Sequence, residues 1–540
     1  LTSHLISRSY HKQIPIVPIC LVIGIIWFST FMIFRQAPEW DNMEELVWAN
    51  SFEMGYQKHP PLPTWVLYPL TMIFGKVAWL PYALGLICVA SAQWISYQLY
   101  VRIAMQARVA RPQDFGVLAV LVTSPLIYYT IRGGDYNHNA MQLWSIAAMY
   151  YFYYRAWEQE RNNSFQNTYY VWWIFFGLMM GLALISKYSV VIQITVLLSH
   201  FFIAARWRCS KSWIGVLIAF GGFVFIAAPH LNWLYQQSLL GQGPIFYASQ
   251  LMSVSASFWD RVIDLFRNFL LTQVYRILPC GIALGYVYYL CRQPKIQPNT
   301  LPSNSSWWSQ IPRVDQLFLI FLGIGPCLTA ISIGLLFNQN IEAKWAVTFF
   351  IIIGFIAWIY ANDALNVQCL TRIVIVGHII CAFIFGVLTG PGASYIGKQG
   401  RATFPSQEMA NVIQQRWVEH PELTNGKPIG LVVGDTWIIG HIIIHDPIHQ
   451  GKEIKPWINA NDSMSPWMTE KDKQQVALIL IDQGPKLDDN KKRLGHPPSK
   501  EVQDMFNRAP VKGTESIPWT KKESAPTLQI QWAILPYKPS

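Results

Sequence analysis

Between residues 37 and 62 the chain reads Ala37-Pro-Glu-Trp-Asp-Asn-Met-Glu-Glu-Leu-Val-Trp-Ala-Asn-Ser-Phe-Glu-Met-Gly-Tyr-Gln-Lys-His-Pro-Pro-Leu62. On a helix Asp41, Glu44 or Glu45, and Trp48 are three and four residues apart and share a face. The stretch from Gly55 to Pro61 ends any such helix and sets Lys58 and His59 beside two stiff prolines. Carboxylates can act as general bases, and cations can stabilise a charged leaving group. Each feature also has a plainer reading. Asp41 in a first turn can be a helix cap, and residues 55–61 can be a rigid connector into the next membrane-directed segment.

A second polar cluster is Arg132-Gly-Gly-Asp-Tyr-Asn-His-Asn139, in which Gly133-Gly134 can end one helix and Asp135 or Asn137 can cap the next. The third is Gly181-Leu-Ala-Leu-Ile-Ser-Lys-Tyr188, where Lys187 closes an apolar run. A lysine there is costly unless it snorkels or is paired, so it is a functional candidate by default. Weaker outer elements are Pro229-His-Leu-Asn-Trp233, the loop from Tyr235 to Arg267, and Asn338-Gln-Asn-Ile-Glu-Ala-Lys-Trp345. Metal signatures are poor: there is no CxxC, and His441, His445 and Asp446 lack the Glu of an HExxH helix. A divalent cation between His59 and His230 would rest on two distant histidines. No Gly-rich phosphate loop of Walker or Rossmann type occurs.

The elements that must position these residues follow from composition. The 540 residues are 52% apolar and 13% charged, about half the charge of a soluble domain, with mean hydropathy +0.25. Eleven apolar runs suit a bilayer: 14–34, 78–101, 115–131, 140–154, 170–186, 188–205, 213–229, 268–291, 314–336, 345–360 and 373–390. The net charge of +11 and pI near 9.1 would suggest nucleic acid on a soluble protein. Placing the N-terminus inside puts fourteen basic and five acidic residues in the inner loops, and nine of each in the outer loops up to residue 390. The basic excess is therefore an orientation signal, and a nucleic-acid footprint is excluded. Residues 1–390 read as the membrane domain, with 35–77 as its first outer loop. Residues 391–540 read as a small extracytoplasmic α/β domain with strands at 428–433 and 476–481, and either helix or strand at 436–444. All eight cysteines precede residue 390, so the exported domain is expected to have no disulfides.

The register Asp41, Trp48, Gly55-Tyr56 and His59-Pro60-Pro61 resembles the first-loop signature of the membrane glycosyltransferases that take sugars from polyprenyl phosphates. This is the protein mannosyltransferase superfamily, glycosyltransferase family 39, with its bacterial aminoarabinose transferases acting on lipid A. As in that pattern, Trp48 follows Asp41 by seven residues, Gly55 by fourteen and His59 by eighteen; Asn42 departs from it, standing where the family usually has Glu. Gly181 to Lys187 is similar to the family segment whose lysine meets the lipid phosphate, and Lys344-Trp345 to its outer loop before a late span. Val433 to Gly440 and Ser465-Pro-Trp467 are similar to segments of members with an exported tail, although the first also reads simply as strand end, turn and helix cap.

The resemblance implies an α-helical polytopic fold of GT-C type with about eleven spans, and inverting sugar transfer with Asp41 as general base. Glu44 or Glu45 would orient the base or hold sugar hydroxyls. Lys58, Lys187 and Arg132 would neutralise the leaving phosphate. Tyr56 and His59 would shape the sugar or phosphate pocket; Asp135, His138, Asn139 and Lys344 would complete the substrate site. It implies no cofactor and no resident metal. The expected partners are a polyprenyl-phosphate sugar, a glycolipid acceptor such as lipid A or lipopolysaccharide core, and membrane lipid. The expected place is a bacterial inner membrane with the C-terminal domain periplasmic. A protein O-glycosyltransferase of the same fold is the alternative within the class. A transporter or flippase is the alternative outside it, but mid-span charges are few and the acids gather in outer loops, which suits an interfacial enzyme better.

Overall fold

The computed structural model describes residues 15–166, 168–246, 257–292, 305–336, 341–363, 365–482, 497–520 and 527–537. The membrane part contains helices α1 (Ile16–Phe34), α2 (Trp40–Trp48), α3 (Leu62–Phe74), α4 (Trp79–Gln106), α5 (Pro112–Thr123), α6 (His138–Arg161), α7 (Tyr169–Leu184), α8 (Val190–Ile203), α9 (Ser210–Leu239), α10 (Phe258–Arg292), α11 (Arg313–Leu336) and α12 (Val367–Thr389). Among the described residues six helices are long and apolar enough to cross a bilayer: α1, α4, α9, α10, α11 and the one that begins at Val367. Helices α5, α7 and α8 are apolar but shorter, with 12, 16 and 14 residues. Among the described residues the expected count of eleven spans is therefore not confirmed.

The clearest departure is 345–360. It forms separate 3-10 turns, Ala343–Thr348 and Ile353–Ile356, and a single α-helical turn, Ala357–Tyr360. The run Ile351-Ile-Ile is β-branched, which disfavours helix. Gly354 then lies so close to α5 that a Cβ would stand 2.0 Å from the Ala119 carbonyl oxygen. Without hydrophobic drive between helices in lipid, close approach at small residues holds the bundle. Gly177 of α7 likewise lies against Ala219 of α9, where a Cβ would meet the Ala219 carbonyl oxygen at 2.1 Å.

Beyond α12 the chain forms α13 (Ser406–Val418), β1 (Leu431–Gly434), α14 (Thr436–Ile444), β2 (Lys455–Ile458), β3 (Ala477–Asp482), α15 (Lys500–Arg508), β4 (Val511–Pro518) and β5 (Thr527–Leu535). The sheet order is β2-β1-β3-β5-β4. β1 pairs in parallel with β2 and β3, and β5 antiparallel with β3 and β4. Both expected strands are present, and 436–444 is a helix capped by Asp435, which accepts from the Trp437 amide at 2.9 Å. Residues 433–440 thus do form strand end, turn and helix cap.

This sheet domain does not stand apart from the first outer loop. Met43, Val47, Trp48 and Tyr56 share one buried apolar cluster with Trp437, Ile438 and Ile442. Trp40 stacks on Trp437 at 5.7 Å, and α2 crosses α14 at Gly440, where a Cβ would lie 2.2 Å from the Met43 sulfur. Gly75, at φ +84°, and Lys76 dock on the same domain through the Lys76 amide to the Gln450 carbonyl, 2.9 Å. The helix that carries Asp41 is therefore clamped between the bundle and the sheet domain.

Candidate active site

No side chain caps α2; its N-cap is Glu39, and Asp41 lies in the first turn. Asp41 is thus not a helix cap. It is half-buried and lines a narrow cavity of about 50 Å³ with Tyr128, Arg132, Asp135, Asn139, Arg276 and Lys344. That volume holds no more than a few water-sized groups.

Asn137 fixes the carboxylate. Its Nδ2 donates to Asp41 Oδ2 at 2.6 Å, while its Oδ1 caps α6 by accepting from the amides of Asn139 and Ala140 at 2.8 and 3.1 Å. A hydrogen bond to a charged acceptor is worth about 1.5–3 kcal/mol, and here the donor is itself held at both ends. Asn42 ties the same two segments: its Nδ2 donates to the Gly134 carbonyl at 3.0 Å and its Oδ1 accepts from the Tyr136 amide at 2.7 Å. An Asn serves this double contact because it offers a donor and an acceptor, where a carboxylate would offer only acceptors.

Arg132 pairs with Asp135 at 2.6 Å, and burial pushes the Asp135 carboxyl up against the pull of that arginine. From the other wall, Arg276 of α10 donates to the Tyr128 hydroxyl at 2.5 Å and to the Ala343 carbonyl at 3.0 Å. Gln273, one turn from Arg276, accepts from Tyr128 at 2.7 Å. Lys344 pairs with Glu342 at 2.8 Å, both about half exposed. The cavity therefore joins two carboxylates, Asp41 held by Asn137 and Asp135 held by Arg132, to three cations, Arg132, Arg276 and Lys344.

The remaining expected residues surround this cavity rather than line it. Lys187 donates to Asn139 Oδ1, and its ammonium lies 5.6 Å from the Trp345 ring centre. His138 contacts Asn139 Nδ2 at 3.0 Å, and its ring centre is 3.8 Å from that of His59. His59 is held neutral, its pKa well below the usual imidazole range, by burial and then by the charges of Lys58, Lys187 and Lys344. Lys58 pairs with Glu44 at 2.8 Å. Glu45 accepts from Thr64 of α3 at 2.7 Å, and burial raises its carboxyl well above the usual range. Tyr56 stacks on Trp48 at 5.2 Å and donates to the Ser51 carbonyl at 2.8 Å. Glu44, Glu45, Lys58, Tyr56 and His59 thus build the floor under α2.

His230 does not meet His59. Its Nδ1 lies 2.6 Å from the Met54 carbonyl and its Nε2 2.9 Å from the Tyr188 hydroxyl. His441 and His445 both contact Ser406, and Asp446 accepts from the amides of Ile448, His449 and Gly451. No group of three or more His, Cys, Asp or Glu poised for a metal occurs among the described residues. Residues 247–256 and 338–340, within two of the weaker outer loops, lie outside the described residues. Sequence reading offered Asn137 as a cap, which it is, but missed its hold on Asp41 and the roles of Arg276, Tyr128 and Asn42. Arg276 had a signal, a lone arginine in the apolar run from Leu270 to Ile282.

A helical bundle joined to a small sheet domain, with a carboxylate facing cations in a cavity between the helices, is an architecture of GT-C type. Residues 58–233 match the family model described as Dolichyl-phosphate-mannose-protein mannosyltransferase. That match covers 176 of the 540 residues, about a third of the chain. ArnT from Cupriavidus metallidurans, in its crystal structure bound to undecaprenyl phosphate, has TM-score 0.53 and 10% identity over 96% of this chain and 97% of that one. Its apo crystal structure gives TM-score 0.44 and 13% identity over the same shares. The oligosaccharyltransferase AglB from Archaeoglobus fulgidus, in complex with an inhibitory peptide and a dolichol-phosphate, gives 0.38 and 12% over 87% and 70%. The first likeness shows the shared fold; the other two carry no further argument. No curated protein matches the chain in sequence.

Proposed function

We propose that the protein transfers a monosaccharide from a polyprenyl-phosphate donor, with inversion, to a bacterial envelope glycolipid, lipid A or lipopolysaccharide core. The reaction lies at the outer face of the cytoplasmic membrane, with residues 391–540 as a periplasmic domain. The observation that carries this reading is Asp41, oriented by Asn137 and facing Arg132, Arg276 and Lys344 across one cavity. Asp41 takes the proton of the acceptor oxygen as that oxygen attacks the anomeric carbon. The bond from that carbon to the phosphate oxygen breaks, and the three cations stabilise the charge gathering on the polyprenyl phosphate. Lys187 and Asn139 hold the far side of the pocket, and His59, His138 and Tyr56 keep α2 in place beneath it. The excess of basic residues in the opposite loops supports this end of the bundle lying outside, where a lipid-linked sugar would be presented.

The test compares envelope lipids by mass spectrometry from cells with and without the gene, and from cells carrying Asp41→Asn. Loss of one monosaccharide increment from lipid A or core, in both the deletion and the variant, is expected. An unchanged lipid profile beside a lost increment on envelope protein would overturn the glycolipid acceptor. An unchanged profile in the variant alone would overturn the base.

A further inference from the structure

Three distant stretches of chain meet around a cavity of about 290 Å³ that the reaction as derived does not use. Glu53 and Gln57 come from the loop after α2, Trp233, Gln237 and Gln242 from the end of α9 and the turn beyond it, and Asp462 from the sheet domain. The cavity shares no lining residue with the one that holds Asp41. A line of contacts joins the two. The Trp233 ring stacks on His230 at 5.7 Å, His230 meets the Tyr188 hydroxyl at 2.9 Å, and Lys187, next to Tyr188 in the chain, bonds Asn139 of the Asp41 cavity.

The lining is aromatic, amide and acid. Among the described residues it carries no arginine, lysine or histidine, and Lys473 already neutralises Asp462 at 2.7 Å, which leaves Glu53 to repel a phosphate. The side chains of Glu53, Gln57, Gln237 and Gln242 make no hydrogen bond or ion pair among the described residues. Three amides and a carboxylate offer donors and acceptors together, which suits a ring bearing several hydroxyls, since each hydroxyl gives one proton and accepts others. The C–H bonds of such a ring carry weak positive charge and suit the negative face of an indole. Both sides of the cavity are held in place. Trp233 lies so close to Gly55 that a Cβ there would stand 2.2 Å from its ring. On the sheet domain Asn459 and Ala460 are held at φ +49° and +53°, a costly conformation for Ala460 above all. The turn that follows presents Asp462, which Trp457 Nε1 fixes at 3.1 Å on the oxygen that Lys473 leaves open.

We propose that this cavity takes an uncharged sugar ring of the acceptor, seated on Trp233 with its hydroxyls on Glu53, Gln57, Gln237 and Gln242. The donor's sugar is bonded directly to its phosphate, so it sits at Arg132, Arg276 and Lys344 with its reacting carbon at Asp41. A separate sugar pocket therefore belongs to the other substrate. The inference rests on the glycosyltransferase reading above and names the part of the acceptor that this chain recognises.

The test is saturation-transfer difference NMR on the full chain in detergent, with the methyl glycosides of glucose, galactose and mannose and with glucose 6-phosphate as probes. At least one glycoside should be saturated, and the sugar phosphate should not. Trp233→Leu and Gln237→Leu should each raise the dissociation constant of that glycoside, by about tenfold for the indole and about fivefold for the amide. Both variants should still retain undecaprenyl phosphate in native mass spectrometry, which certifies their fold; Gln237 is half-buried and its exchange spares the packing on Gly55. No saturated glycoside, or unchanged binding in both variants, would overturn the site alone. Equal saturation of glucose 6-phosphate would overturn the uncharged ligand. Displacement of the glycoside by undecaprenyl phosphate would make the cavity part of the donor site and overturn the acceptor assignment. A wild type that binds a glycoside but no undecaprenyl phosphate would bring down the glycosyltransferase reading and the acceptor assignment with it.

Discussion

The two ends of the bundle use the same residue types in opposite ways. At one end the buried arginines are gripped by carboxylates. Arg206 grips Glu160 with two bonds of 2.7 and 2.6 Å, Arg102 grips Glu158 at 2.8 and 2.6 Å, and Arg161 meets Asp315 at 2.7 Å. At the other end Arg132, paired with Asp135, and Lys344, paired with Glu342, join Arg276 around one cavity, but Asp41 in that cavity is held by an amide instead of a cation. Paired charges fix helices, whereas a cavity that gathers cations around one oriented base is prepared for a charge that arrives with substrate. Net charge points the other way, since the inner loops are strongly basic and the outer loops balanced. Chemistry is therefore marked by how charges are partnered and not by how many there are.

The largest effect should come from Asp41→Asn. Loss of a general base costs about 10²–10⁴ in rate, so transfer should fall by that factor while undecaprenyl phosphate still binds. A single-turnover assay reads the first quantity and native mass spectrometry the second. A variant within threefold of wild type would remove the contrast between the two ends.

Arg206→Met tests the other side of the comparison. Arg206 is 2% exposed in its side chain and its removal leaves Glu160 buried and uncompensated, which costs about 3–5 kcal/mol. Thermal unfolding in detergent should shift down markedly, and kcat/KM of the protein that remains folded should stay near wild type. Arg276→Met should do the reverse. Its unfolding should change little, while one or two lost contacts to a charged group, about 1.5–3 kcal/mol in all, should weaken transfer roughly 10- to 150-fold. Equal kinetic losses in both variants would show that the ends do not differ in kind.

How much of this was legible follows the same line. The Asp41-to-His59 register, Lys187 and the 132–139 turn were readable because charged residues beside apolar runs stand out. Their division of labour was not. Glu44 and Glu45 share the helical turn of Asp41, but which carboxylate faces a cavity depends on Asn137 and Asn42, and these contacts span more than 90 positions of chain. The broken segment at 345–360 was misread because hydropathy measures solvent preference and is blind to Gly354 pressing on α5. The sheet domain was legible as strands, yet nothing in its sequence signalled that α14 would brace α2.

That brace gives a smaller and more diagnostic change. Gly440→Ala would drive a methyl into Met43; overpacking of this kind costs about 1–3 kcal/mol. Because the strain falls on α2, both thermal stability and transfer should drop together, and Met43→Ala in the same chain should restore part of each. Loss of stability without loss of transfer would mean that the sheet domain does not position Asp41.

The last expected effect is on pH, and it sits within that domain. Ser406 Oγ lies 2.7 Å from His441 Nδ1 and 2.6 Å from His445 Nε2. A hydroxyl has one proton to give, so it donates to one ring and accepts from the other, an arrangement that requires the ring it donates to to be unprotonated. Burial lowers both histidines, His441 well below the usual range and His445 to about 4. The unfolded chain takes up these protons near pH 6.5 and the folded one does not, so stability is present above that pH and is lost as pH falls. For His445 the loss is complete near pH 4, and each histidine contributes at most about 1.4 kcal/mol per pH unit within its window. The Trp437 environment, followed by near-ultraviolet circular dichroism during thermal unfolding of the full chain at pH 7, 6 and 5, should show a falling midpoint. In His445→Gln the slope of midpoint against pH should be shallower. An unchanged slope would mean that the rings titrate alike in the folded and unfolded chain, and that the polar cluster beneath α14 is as solvated as the helix surface.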